Sequence, residues 1–246
     1  MASKQKEQTP LREERSKKEE RAERILDAAA ELITRWGYSK TTIDDIAKKA
    51  GVAKGTIYLH WKTREDLFQA LMVREDVLLT ADIKQRMAGD PEAGTLHGMM
   101  KYSMLAIMKR PLIKAVLLND TDLLGQWSRR EASTEAYAQR MAEYLKYFEI
   151  LRSRGLVRTD IPAKEQSYML GAIAMGFLVV EPLMPEEYIF TDEEAVEMLA
   201  ETVKRTFEPR GPTSSQESVE ISQAFTHYLD RSTDIIKEQH QREAES

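Results

Sequence analysis

"TTIDDIAKKAGVAKGTIYLHWKTREDLF", Thr41–Phe68, is the stretch that decides how this chain folds. Thr42, with Asp45 three residues on, is a box-like cap that opens a helix. Ile43, Ile46, Ala47 and Ala50 recur at i, i+3, i+4 and i+7, the spacing of one inward helical face. Gly51 lacks a Cβ and permits a tight turn, after which a short helix is predicted from about Ala53 to His60. Thr63 caps a long helix whose first turn, Arg64-Glu65-Asp66, sets acids at the positive end of the helix dipole. A solvated helix would have no use for Gly51, Tyr58 or Trp61, and a core helix would not take Lys54 and His60 so close together. The stretch suits a surface that lies against something polar and anionic.

Upstream, Thr9-Pro10 looks like an N-cap followed by proline at the first helical position. Glu13/Lys17, Glu14/Lys18 and Glu20/Arg24 are i,i+4 pairs with the acid leading, as expected of a solvated arm over residues 1–23. Ile25, Ala28, Ala29, Leu32, Ile33 and Trp36 then form an apolar face, and Gly37 stops that helix. Downstream, Gly89-Asp90-Pro91 ends the long helix, and further helices are predicted at about 92–109, 111–124, 129–154 and 164–181. Thr191 and Glu194 box the start of another, which runs to about Phe207. Pro209-Arg210-Gly211-Pro212 is a linker, after which Ser214 and Glu217 can cap a last amphipathic helix to about residue 240. Its packing, on its own chain or on a partner, stays open. No alternating strand pattern stands out, so the expected class is all-α. The expected domains are a three-helix head over 24–70, a helical body over 71–207, and a linker with an extra helix over 208–246.

Hydrophobic residues make up 42% and charged residues 31% of the 246, enough for a core under a heavily charged surface. Cysteine is absent, which removes disulfides and thiolate chemistry and fits a reducing cytoplasm. The first 24 residues are charged throughout, unlike a signal peptide. The longest nearly apolar run, Met169–Val180, falls short of the roughly 20 residues a bilayer span needs, so no membrane association is expected. Net charge is −5, yet Lys40–Arg64 holds six bases against two acids. Such a patch can still attract phosphate, because a Debye length of about 8 Å hides distant acids.

Two short helices joined at a glycine, the second bearing small and polar residues, make a helix-turn-helix, a motif whose second helix enters the major groove. Ala53, Gly55 and Thr56 are short enough for the backbone to approach base edges, and Lys54 can reach guanine O6 and N7. Tyr58, His60, Lys62 and Arg64 lie toward the far end, where phosphate contacts fix register. The same stretch resembles the DNA-binding segment of the tetracycline-repressor (TetR) family. The resemblance rests on Thr42, Ile46-Ala47, Ala50-Gly51-Val52, Gly55, Ile57-Tyr58, His60-Trp61, Lys62 and Leu67, with residues 25–37 like the family's first helix. Ala53 departs from the usual Ser or Thr, Trp61 from phenylalanine and Arg64 from lysine. The resemblance implies a homodimeric regulator, usually a repressor, released from a near-palindromic double-stranded operator by a small-molecule inducer.

Several residues carry two readings. Thr42 is a cap, a phosphate ligand, or both; Tyr58 and His60 are packing residues or phosphate donors; Trp36 and Trp61 are read as head core. Met100, Met104 and Met108 crowd one helix as core filler or, with Trp127, Tyr137, Met141, Tyr144, Phe148 and Phe177, as the wall of an inducer pocket. Gly171, Ala172, Met175 and Gly176 permit close helix approach, within the chain or, as the resemblance implies, in a dimer interface with Val196, Leu199 and Val203. His60, His97, His227 and His240 are scattered, and no HExxH, GxGxxG or P-loop occurs, so neither catalysis nor a cofactor nor a metal is expected. The rival is a helical interaction module whose head docks on a protein.

Overall fold

The periodic apolar spacing resolves into helices, with no strand, among the residues described: 8–125, 135–209 and 215–245 of the computed structural model. Helix α1 (Gln8–Trp36) carries the apolar face that begins at Ile25. Gly37 ends it at φ 83° and ψ 156°, backbone angles that only glycine adopts without strain. A single 3-10 turn, Tyr38–Lys40, leads to α2 (Ile43–Ala50). Thr42 Oγ1 accepts the Asp45 N–H at 3.2 Å, and Asp45 Oδ2 accepts the Thr42 N–H at 3.2 Å, which completes the capping box. Gly51, left-handed at φ 67°, turns the chain into α3 (Lys54–Tyr58). Thr63 and Asp66 repeat the box at 3.0 and 2.9 Å to open α4 (Arg64–Met87).

The core of the head gathers Ile25, Ala29, Ile33, Ile46, Ile57, Phe68 and Leu71, all essentially buried. It is completed by later residues. Leu112, Ile113 and Ala115 of α6 (Pro111–Leu117) and Leu124 of α7 (Thr121–Leu124) pack into the same cluster. Each fully buried aliphatic side chain is worth about 1.5–3 kcal/mol, so a head cut off before α6 would lose a substantial part of its stability. The close approach is built into Gly37, where a Cβ would stand 2.9 Å from the carbonyl oxygen of Asp122.

The body has a second core. Helices α5 (Leu96–Met108), α8 (Glu135–Ser153), α9 (Ala163–Val179) and α10 (Asp192–Phe207) supply it. Helix α10 lies along α5, and the box of Thr191 and Glu194 opens it as expected. His97 is buried and structural: its backbone N–H donates to Glu208 Oε1 at 2.8 Å and its Nδ1 lies 2.8 Å from Oε2, which ties the end of α10 to α5. Helix α11 (Ser215–Glu245) packs on its own chain, between α4 and α8. Phe225 and Tyr228 stack on Tyr147 of α8 with centroids 5.3 and 5.9 Å away. A polar clasp completes the seat. Arg140 of α8 donates to Asp76 Oδ1 of α4 at 3.2 Å and to Ser232 Oγ at 2.8 Å. Thr233 Oγ1 donates to Asp76 Oδ2 at 3.0 Å, so in its 2.9 Å contact with Thr80 it accepts.

Some boundaries differ from expectation. Helix α5 starts at Leu96, four residues past residue 92, because Thr95 Oγ1 accepts the Gly98 N–H at 3.1 Å and sets the cap there. The segment 111–124 is broken at Asn119, at φ 51°, after which Asp120 caps α7. Trp36, expected in the head core, sits at the helix end and is 43% exposed. Trp61 packs half-buried against that core. Trp127, Ser214 and the expected helix start at 129 lie outside the described residues.

Gly37→Ala is expected to cost about 1–3 kcal/mol, since alanine is strained at that φ and its methyl group meets a fixed carbonyl. Thermal unfolding should report a fall of several degrees; an unchanged midpoint would contradict the close packing of α7 on the corner after α1.

Candidate nucleic-acid interface and cavity

Ile57 is the pin of α3: it is fully buried, and a five-residue helix has room for one such anchor. Lys54, Gly55 and Tyr58 are therefore turned to solvent, with Thr56 and His60 half-buried at the margin. Ala53 at the N-cap makes no side-chain bond, so the start of α3 lacks the cap that serine or threonine would give. No heavy atom lies within 4 Å of the place a Cβ would occupy on Gly55, which leaves the backbone open to an approaching surface. Lys54 Nζ donates to Asp44 Oδ2 of α2 at 2.8 Å, both side chains being at least half exposed, and this bond raises the lysine pKa. An exposed pair of this kind contributes little and yields readily to a stronger anion.

The other expected contacts divide. Thr42 is exposed, but its hydroxyl is engaged in the capping box, and that bonding lowers the Asp45 pKa. Lys62 is exposed and makes no ion pair among the described residues. His60 packs beside Trp61 with ring centroids 5.2 Å apart; burial, then the positive charges of Lys18 and Arg21, hold its imidazole pKa down. Arg64 is a correction. Its guanidinium stacks over the Tyr38 ring at 4.2 Å and donates to the Thr41 carbonyl at 3.3 Å, so it ties α4 to the Tyr38–Lys40 turn instead of projecting.

A cavity of about 260 Å³ lies between α4, α5, α6, α8 and α11. Leu79, Ile83, Ile107, Ile113 and Val116 line its apolar side, and Asp76, Thr80, Arg140, Ser232 and His240 its polar side. The expected pocket residues do not line it. Met104 and Phe148 are spent in the body core, with Met100, Met108, Tyr144 and Phe177 packed against that core, while Tyr137 and Met141 are largely exposed. The correct elements were chosen but the wrong faces: Ser103 and Ile107 of α5 and Arg140 of α8 look into the space that Met104 and Met141 turn from. One signal was available in advance. Asp76 lies on the apolar stripe of α4 with Met72, Leu79 and Ile83, where a carboxylate demands a partner.

On the opposite side of the body, Gly171, Ala172 and Gly176 of α9 are exposed, and nothing occupies the space above either glycine. Met175 is half-buried beside them. Val196, Leu199 and Val203 of α10, expected at the same interface, are fully buried in their own chain's core and unavailable to a partner. The outward face of α10 instead carries Met198.

Residues 25–71, from the first buried residue of α1 into α4, match the model of the bacterial regulatory proteins of the tetR family. The chain is 39% identical over 74 residues to the fatty acid metabolism regulator protein of Bacillus subtilis, covering 26% of this chain and 38% of that relative. It is 27% identical over 164 residues to the HTH-type transcriptional repressor Rv1474c of Mycobacterium tuberculosis, covering 64% of this chain and 80% of the relative. The chain thus spans less than half the length of the first of these relatives. Among solved structures, SmeT in its complex with triclosan superposes with a TM-score of 0.59 at 18% identity, over 79% of this chain and 96% of that one, a likeness of fold. These relatives are transcriptional regulators and not enzymes, and they do not favour the protein-docking alternative. The head, its glycine corner and the helical body together place the chain in the tetR family of bacterial regulatory proteins.

Proposed function

We propose that this chain is a cytoplasmic, ligand-responsive transcriptional repressor that binds double-stranded DNA as a homodimer. The observation that carries the reading is the outward set of α3: Lys54, Gly55 and Tyr58 face solvent from a helix pinned by the single buried Ile57. Short residues let the backbone approach base edges, while Lys54 reaches a guanine and Tyr58, His60 and Lys62 meet phosphates. Thr42 holds the helix that carries them, and Thr56 offers a methyl and a hydroxyl to bases. Two chains paired through α9 and the outer face of α10 would set their α3 helices one helical turn apart, roughly 34–36 Å, which calls for a near-palindromic operator.

The cavity supplies the second site. It touches both cores, through Met72 and Ile113 of the head and Ile83 and Leu229 of the body. A ligand that fits better when the head is tilted shifts the population away from the DNA-competent state by its differential affinity. The lining suits a small apolar or amphipathic effector, and the complex of SmeT with triclosan supports a ligand role for this fold.

Three outcomes test the reading. In a random-library selection, Lys54→Ala should alter the enriched bases, whereas Lys62→Ala should weaken all duplexes alike and lower the salt slope by about 1. Parent-like binding by both variants would remove their assigned roles. Gly55→Ala meets no neighbour and should melt at the parental temperature or slightly above, by about 0.5–1 kcal/mol, yet bind duplex more weakly because its methyl holds the backbone off the bases. Val116→Trp should fill the cavity, abolish the thermal shifts that small apolar compounds give the parent, and leave duplex affinity intact. Compounds that stabilise parent and variant equally would place the effector elsewhere.

A further inference from the structure

The face of α1 that packs the head does not end where the head ends. Ile25, Ala28, Ala29 and Leu32 are buried. Upstream, Lys17, Arg21 and Arg24 fall at i, i+4 and i+7 and run on into the row of Ala28, while Lys18 leads into the row of Ile25, Ala29 and Leu32. The same helical face thus changes from apolar to basic within one turn of Ile25. Glu19, Glu20 and Glu23 lie round the helix from this stripe, and Glu23 is drawn toward Arg74 of α4, 3.4 Å away. None of the four bases is held in an ion pair among the described residues, and all but the half-buried Arg21 are exposed. Helix α1 is continuous from Gln8, so it reaches about 25 Å beyond Ile25 at 1.5 Å per residue. The stripe is not remote from α3, since the charges of Lys18 and Arg21 bear on His60 just past its end.

We propose that Lys17, Lys18, Arg21 and Arg24 form a second DNA-contacting element, which follows the phosphates of the duplex outside the bases met by α3. This rests on the DNA-binding reading above. Four cations without acidic partners, on a stiff helix that overhangs the end of α3, complement a polyanion that continues past the recognition site. Contacts of this sort carry no sequence information; they lengthen the footprint and steepen the salt dependence.

The test uses the full chain and a duplex of about 40 base pairs that it enriches from a random library, together with the same duplex trimmed to the enriched core. The variant K17Q/K18Q/R21Q/R24Q keeps good helix formers at exposed positions, and circular dichroism and melting should match the parent. At about 0.9 per phosphate contact, the slope of log K against log salt should fall by roughly 3 on the long duplex, with little change on the trimmed one. The control E19Q/E20Q should leave the slope as it is. Parental binding by the stripe variant on the long duplex overturns the proposal, as does an equal loss on both lengths, which would mark a general charge effect. Loss of binding to anionic phosphatidylglycerol vesicles with duplex binding retained would assign the stripe to a membrane surface and overturns it too. If the parent enriches no duplex, the DNA-binding reading fails and this inference with it; if the parent binds and the variant equals it, this inference alone fails.

Discussion

One continuous helix, α4, serves two hydrophobic cores. Its first turns bury Leu67, Phe68, Leu71 and Met72 in the head, and its last turns bury Ile83 and Met87 in the body. Between them it carries Asp76 and Thr80, the polar groups that seat α11. A helix so held cannot shift at one end without disturbing packing at the other, because protein interiors are dense and resist continuous deformation. Helix α6 strengthens the constraint by lending Leu112 and Ile113 to the head core from the middle of the body's sequence. The cavity opens against this shared wall, where an occupant meets both cores at once.

The polar clasp at Asp76 has its own logic. A carboxylate placed on an apolar stripe is costly unless its oxygens are bonded. Here one oxygen takes Arg140 and the other Thr233, so three helices, α4, α8 and α11, must be correctly placed for the charge to be satisfied. A buried pair of this type adds little net stability over an apolar replacement, but removing one partner leaves an uncompensated charge. Its contribution is to the register of α11 on the body.

The head shows how an acidic chain can present a basic surface. The net charge of −5 is spread over the whole chain, while Lys54 and Lys62 stand near the end of a small domain. Asp44 holds Lys54 in an exposed bond that solvent screens. Arg64, by contrast, is committed to Tyr38 and the Thr41 carbonyl, and so stabilises the corner on which α2 and α3 are oriented.

Local chemistry was legible in the chain itself. The boxes at Thr42 and Thr63, the corners at Gly37 and Gly51, the apolar rows of α1 and α2 and the outward residues of α3 depend on neighbours a few positions away, so composition and spacing were enough to find them. Tertiary packing decided what spacing could not: which face of α5 looks into the cavity, that Val196, Leu199 and Val203 turn inward, that Arg64 folds back, and that α11 lies on its own chain. Each of these depends on which distant surface a helix meets. An amphipathic pattern states that a face is buried, but only the packing of helices far apart in sequence determines against what.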